Sequence, residues 1–348
     1  MTRASIFKAA LSRDWFRRAS GDSPAVPAPP SRAKQPMPQQ SRKLLITDNK
    51  TFSQFGVSPV RLCDVGARDD IVEPWKRIEA KAPDVIRVVG FEPDPRECAR
   101  LNARQGERRQ YYATALWSSV GEIEFNITRS PAQSSGFEPD IETLTRLFPV
   151  ERWRGRQVRR KVTVQADTLD RVCARDGLSI DFIKLDTQGA EYEILAGATE
   201  TLKTCFGAQA ECWHYPAYRG LRLAQDVMRL MADNGFSVFA YSEGGSWRRG
   251  ADEVARNDRS QPVQADILFL KNVETLDLGG TPFERAVKWA AIAELWGFAS
   301  YAKDILKRWA ETNPDASENF QGVITRIEKN AVANFEVFGR SGGFPSLR

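Results

Sequence analysis

The sequence predicts an α/β protein: a doubly wound, mostly parallel sheet of seven strands, an antiparallel hairpin at one edge, and helices at the C-terminal end. Three observations carry that expectation. From about residue 58, short apolar runs of strand length alternate with helix-length segments. Two of those runs, ending in the stretches 61–70 and 88–94, close on carboxylates and small-residue turns. The last two strand-like runs are joined by a polar, Gly-containing loop instead of a helix, and so pair as antiparallel neighbours.

The elements follow in order. Residues 1–45 read as a flexible, basic, Pro-rich arm. Within the first 50 residues, ten Lys/Arg stand against three Asp/Glu. Because the whole chain carries a formal charge of +5, the remainder is slightly acidic, and a nucleic-acid groove across the body is not expected. The arm's charges do not segregate from Phe7, Leu11 and Trp15, and it has no apolar core of signal-peptide length. An Arg-rich, acid-poor start is also compatible with an organelle transit peptide.

Val60–Val65 is the first buried strand, followed by a helix over 72–82, a strand over 85–92 and a helix over 95–103. A third strand is expected over 110–117. Residues 122–128 alternate with period two and form a half-exposed strand. A loop-rich insertion (130–149) precedes a short strand (161–165) and a helix (167–175). The strand 180–186 leads through Gly189 into a helix ending at Gly197. A strand over 205–213, a helix over 224–234, and the hairpin strands 236–241 and 265–271 complete the sheet. Residues 282–309 and 317–338 read as helices.

No stretch approaches 18 consecutive apolar residues, so no transmembrane segment is expected. Five cysteines without a C-x-x-C pair, beside one histidine, argue against a structural zinc site. They fit a reducing, cytoplasmic compartment.

In an open parallel sheet, ligands sit beyond the carboxyl ends of the strands. The turn Gly66-Ala67 lets backbone approach a nucleoside. Glu92, at the end of the next strand, offers two acceptor oxygens to ribose hydroxyls. Asp69 and Asp70 would repel a pyrophosphate but suit a cationic ligand such as S-adenosylmethionine. Strand ends at Asp64, Glu92, Ala115–Trp117, Asp186 and Glu211/His214 are all expected on one rim. Asp186 has the alternative of a helix N-cap. Glu191 is read as a carboxylate favoured by the helix dipole. His214 is read as a general base or as a structural histidine, Glu211 as a site carboxylate or a buried hydrogen-bonded one. Lys184, in an apolar strand, either snorkels or pairs with an acid. Asp186 and Glu211 supply at most two oxygen ligands, so no metal site is assigned.

Together these residues resemble the FkbM-type family of S-adenosylmethionine-dependent methyltransferases, over about residues 60–272. The resemblance rests on Asp64-Val65-Gly66-Ala67, Gly90-Phe91-Glu92-Pro93-Asp94, Ala115-Leu116 with Gly121, Ser134-Ser135 and Asp167-Thr168-Leu169-Asp170. Its most specific part is Ile183-Lys184-Leu185-Asp186-Thr187-Gln188-Gly189-Ala190-Glu191. It implies a Rossmann-like fold, with the cofactor held by Asp64, Gly66, Ala67, Arg68, Glu92, Ala115 and Asp186. It further implies methyl transfer to a hydroxyl of a sugar, polysaccharide, glycolipid or secondary metabolite, and the strand-end positions put Asp186, His214 or Glu211 at the chemistry.

The expected division is an arm (1–45), a methyltransferase domain (46–275) and a C-terminal helical extension (276–348), with homo-oligomers possible. Arg68 and Asp70 stand where that family more often has Asn and Gly. That departure makes a catalytically inactive scaffold with the same fold the alternative. An NAD(P)-dependent oxidoreductase is disfavoured, since the turn lacks G-x-G-x-x-G.

Overall fold

Side chains on a strand point alternately to opposite faces, and that two-residue period organises both cores here. The computed structural model describes residues 44–68, 71–104, 106, 108–250, 252–314 and 320–334. The expectations for most of the arm, and for Asp69 and Asp70, lie outside the described residues. The strands are β1 (Val60–Val65), β2 (Ile86–Phe91), β3 (Arg109–Tyr112), β4 (Ala115–Leu116), β5 (Gly121–Thr128), β6 (Val158–Asp167), β7 (Phe182–Leu185), β8 (Gly207–Trp213), β9 (Phe236–Trp247) and β10 (Gln261–Lys271). The helices are α1 (Asn49–Gln54), α2 (Trp75–Lys81), α3 (Pro95–Arg104), α4 (Ile141–Leu147), α5 (Val150–Trp153), α6 (Leu169–Asp176) and α7 (Glu191–Ala196). They continue with α8 (Thr199–Thr204), α9 (Ala224–Asp233), α10 (Glu253–Asn257), α11 (Phe283–Leu295), α12 (Ala299–Thr312) and α13 (Phe320–Asn334).

Seven strands form one sheet in the order β3-β2-β1-β7-β8-β10-β9. All pairs are parallel except those of β10, which runs antiparallel to both β8 and β9. This is the expected mostly parallel sheet with its edge hairpin. One face packs Leu62, Phe182, Phe206, Leu268 and Leu270 against α2, α11, α12 and α13. The other packs Ile183, Ala208 and Ile267 against α6, α7, α8 and α9. Ring stacking of Phe182 on Trp296 and Phe206 on Trp289 ties α11 and its C-terminal turn to the first face.

Several boundaries differ from expectation for local reasons. The first helix starts at Trp75, not residue 72, because Pro74 occupies its N-cap and cannot donate within a preceding turn. The expected third strand over 110–117 is two strands: β3 joins the main sheet, while β4 pairs with β6 in a separate three-stranded sheet of order β4-β6-β5. Gly297, in the left-handed region at φ 91°, separates α11 from α12 where one continuous helix was expected. The crossover from β7 to β8 holds two short helices, α7 and α8, instead of one.

The expected domain boundary after residue 45 falls inside a buried strap. Leu44, Leu45 and Ile46 lie in the core with α11 and α13. Glu294 accepts a hydrogen bond from the Leu45 N–H at 2.6 Å and another from Asn330 at 3.0 Å. Among the described residues no helix is long and apolar enough to cross a membrane.

Candidate active site

Toward the carboxyl ends of β1, β7 and β8, and the adjacent amino-terminal half of the antiparallel β10, the first face changes from apolar to polar. Strand register explains which side chains meet. Asp64 lies beside Lys184, Lys184 beside Gln209, and Glu211 beside Asp266. The side-chain period keeps all of them on one face. Lys184 Nζ is 3.2 Å from Asp64 and 3.8 Å from Asp186. Burial opposes the ammonium charge, but Asp64, Asp186 and Glu211 outweigh it and hold Lys184 above its usual value. Burial pushes the Asp64 carboxyl up while Lys184 pulls it down. Asp64 and Asp186, both within ion-pair distance, favour the ammonium form of Lys184. Of the two sequence readings of Lys184, pairing is the one realised.

Gly66 makes the junction between β1 and β7 possible. Its φ is 76°, and a Cβ there would lie 2.2 Å from the Asp186 carbonyl oxygen. The Gly66 and Ala67 N–H groups both donate to the Phe91 carbonyl at 3.1 Å. They brace the turn against β2. Ala67 is buried against Cys98, Leu101 and Tyr111. Arg68 reaches across to the Pro131 carbonyl at 3.3 Å. Ala115 sits in the small sheet opposite Ala166, so its place is beside the main rim instead of on it.

Glu92 stands just past β2, 5% exposed. One oxygen accepts from the Asp94 N–H at 2.9 Å. Among the described residues the other has no protein donor. Burial pushes its carboxyl up to about 7, against the opposing effects of that hydrogen bond and of Arg68.

Asp186 is not a helix N-cap: α7 begins at Glu191 and its N-cap is Ala190. The Glu191 carboxylate instead closes the loop, accepting from the Thr187 N–H and hydroxyl and from the Gly189 N–H, each at 2.9 Å. This frees the Asp186 side chain, 45% exposed, for the crevice.

Gln188 is the residue that sequence reasoning missed. Among the described residues it is the one non-glycine with positive φ, 57°, and it is buried. Its amide nitrogen donates to Glu211 at 2.6 Å and to Asp186 at 3.3 Å, and its amide oxygen accepts from the Tyr218 hydroxyl at 3.1 Å. Its carbonyl accepts from the Ser135 hydroxyl at 2.8 Å. A polar residue beside Gly189, in a loop following an acid, was the available signal. Gln264 donates to the remaining Glu211 oxygen at 2.8 Å. Burial, then Asp186, Glu191 and Asp266, push the Glu211 carboxyl well up, and burial raises Asp266 to about 6.

Gln188 therefore joins Asp186 and Glu211. The His214 ring takes a different partner, the Tyr241 hydroxyl at 2.8 Å on the edge strand β9. Burial lowers its pKa. The strands ending at Asp186 and Trp213 are parallel neighbours, as expected, and Gln188 links Asp186 to Glu211 between them. Among the described residues no three His, Cys, Asp or Glu side chains are spaced to hold a metal ion.

Comparison with known proteins follows this geometry. Residues 64–238 match the model of the methyltransferase FkbM domain. A stretch of 120 residues is 31% identical to the 2-O-methyltransferase NoeI of Sinorhizobium fredii (strain NBRC 101917 / NGR234), covering 33% of this chain and 49% of that protein. The chain thus spans about half the length of this curated relative. Among solved structures, the methyltransferase FkbM from Methylobacillus flagellatus KT overlaps 66% of this chain and 48% of its own, at 14% identity and a TM-score of 0.33. A putative methyltransferase from Thermobifida fusca YX overlaps 66% and 79%, at 10% identity and a TM-score of 0.30. With half of its length matched by the family model, from the Asp64 turn through β8 into β9, this chain belongs to the FkbM methyltransferase family.

Proposed function

We propose that this protein is an S-adenosylmethionine-dependent O-methyltransferase acting on a hydroxyl of a sugar, polysaccharide, glycolipid or secondary metabolite. The observation that carries the reading is Glu92: a buried carboxylate at a strand end with one oxygen lacking a protein donor among the described residues. A ribose hydroxyl satisfies that oxygen. The acidic rim of Asp64 and Asp186 suits a ligand carrying a sulfonium and an ammonium, so the residues fit the cofactor. The 2-O-methyltransferase named among the relatives supports oxygen as the methylated atom.

S-adenosylmethionine, when bound, supplies an electrophilic methyl group. The chain's own residues align the acceptor hydroxyl, exclude water and take its proton. Asp186 is the proton acceptor in this reading, since its side chain opens to the crevice while both Glu211 oxygens are occupied by Gln188 and Gln264. Gln188 and Lys184 hold the Asp186 carboxylate in place.

Calorimetry with S-adenosylmethionine, followed by mass spectrometry of glycan and metabolite extracts incubated with the protein and labelled cofactor, tests the reading. Cofactor binding with label on an acceptor oxygen is the expected result, with Asp186→Asn reducing turnover by roughly 10²–10⁴. Binding without transfer to any extract would favour the inactive scaffold. No binding at all would remove the reading.

A further inference from the structure

Surface arginines are compensated unevenly in this fold. Arg100 pairs with Glu97, Arg175 with Asp176, Arg229 with Asp233 and Arg326 with Asp48. Arg129, Arg152, Arg154, Arg159 and Arg160 are different. All five are exposed, and among the described residues none has a carboxylate within ion-pair distance. Glu151 is the acid of the 151–161 run. Lys161, next along β6, is satisfied by Glu124 at 2.8 Å and Glu138 at 3.0 Å. Arg156 lies buried beneath, among the rings of Trp213, Trp247 and Tyr218, and takes no part in the surface.

The backbone gathers the five cations. The Arg129 N–H donates to the Gln157 carbonyl and the Ser130 N–H to the Gly155 carbonyl, each at 2.8 Å. Arg129, just past β5, therefore stands beside the turn that carries Arg154 and the start of β6. Arg159 and Arg160 point to opposite faces of β6, so charge rings this end of the small sheet. Like charges repel even across water, and an anion laid against them relieves that repulsion. The ring also borders the candidate site. From Arg129 the chain runs to Ser135, whose hydroxyl donates to the Gln188 carbonyl, and the Pro131 carbonyl on the way accepts from Arg68. Those six residues span at most about 22 Å.

We propose that this arginine ring is the docking tract for an anionic polysaccharide, and that the methyl acceptor is a sugar unit within that chain. The proposal deepens the methyl-transfer reading above and rests on it. Guanidinium groups suit carboxylate and other oxyanion groups. Cations on both faces of one strand cannot converge on a single charge, but a chain that bends around the strand meets them in turn, and its linked contacts reinforce one another. A membrane is flat, and the exposed apolar side chain here is Val150 alone. Single-stranded RNA is held on aromatic platforms, whereas Trp153, the aromatic residue of the run, is half-buried with its indole N–H on the Phe148 carbonyl.

The test titrates the full chain by calorimetry with polygalacturonate, neutral dextran and monomeric galacturonate. Polygalacturonate should bind roughly 10²-fold more tightly than the monomer, and more weakly as ionic strength rises, because salt screens exposed charges. Dextran should not bind. Replacing Arg154, Arg159 and Arg160 together by Gln should lower polymer affinity by roughly tenfold, with the melting curve as the check on folding. The same change at Arg3, Arg13 and Arg17 of the arm should leave it nearly intact. Equal binding of dextran and polygalacturonate, or of monomer and polymer, would overturn the tract in the unmodified protein. Loss of polymer binding in the arm variant would overturn it as well, whether or not the other variant folds. Tighter binding of single-stranded RNA or of phosphatidylglycerol vesicles than of polygalacturonate, at physiological ionic strength, would overturn the polysaccharide as the partner. Cofactor titration is a separate measurement: its failure sinks the methyl-transfer reading, whereas cofactor binding without polymer binding sinks only this inference.

Discussion

In the proposed reading Glu92 binds the ribose hydroxyls as a carboxylate, and burial pushes that carboxyl up to about 7. Cofactor affinity should therefore rise as pH increases from 6 to 8, because the proton is lost across that window. Glu92→Gln should weaken binding by about 1.5–3 kcal/mol at pH 8, the usual worth of hydrogen bonds to a charged group, and should flatten the pH dependence. A pH series of calorimetric titrations checks both; equal slopes for the two proteins would detach Glu92 from the ribose. Gln188 makes a second case at this scale. Gln188→Ala removes a donor from Glu211 and Asp186 and an acceptor from the buried Tyr218 hydroxyl, at a cost of about 1–3 kcal/mol in denaturant titration. Gln188→Gly removes the same bonds but tolerates φ 57°, so it should be less destabilising than Ala by about 1 kcal/mol. If Ala proves the more stable of the two, the backbone conformation is not what this position demands.

At the scale of elements, α11 is clamped to both ends of the described chain through one acid. Glu294 holds the Leu45 N–H and the Asn330 amide, and burial raises its carboxyl to about 7. A carboxyl whose folded pKa lies above its unfolded one contributes stability that is complete below about 4.5 and lost as pH rises through about 7. Glu92 and Glu191, each near 7, and Asp266, near 6, act in the same direction. Thermal stability should consequently decline between pH 5 and pH 8. Glu294→Gln keeps an acceptor for Leu45, and a turned Asn330 amide can accept from its NH₂ group. The variant should show a shallower decline over that interval in melting curves. An unchanged slope would mean that Glu294 does not titrate there.

For the whole molecule, the C-terminal helices are structural partners of the sheet. They cover Phe182, Phe206, Leu268 and Leu270 with Trp289, Ile292, Leu295, Ile305 and Leu306. Each such side chain is worth about 1.5–3 kcal/mol when buried, and total stability is only about 5–15 kcal/mol. A chain ending at residue 275 should therefore lose its cooperative unfolding transition, measured by circular dichroism, or fail to remain in solution. We propose that the folded body begins near Leu44. Removal of residues 1–41 should leave melting temperature and cofactor affinity nearly unchanged. A truncated 1–275 chain with the parent's melting curve would make the helices a dispensable extension.

The sequence alone determined the sheet's strands, its edge hairpin and the acids at the ends of β1, β2 and β7, because those signals are local: apolar runs, turn residues and a carboxylate at a strand end. It named Asp64, Glu92, Asp186 and Glu211 but could not say which of them meet. Strand order and register decided that, setting Asp64 beside Lys184 and joining Asp186 to Glu211 through Gln188, while His214 turned to Tyr241. The division of residues 110–117 between two sheets, the burial of Leu44 and Leu45, and the enclosure of Arg156 by three aromatic rings are also tertiary outcomes. Each depends on partners tens to hundreds of residues away, and no local periodicity encodes a contact at that distance.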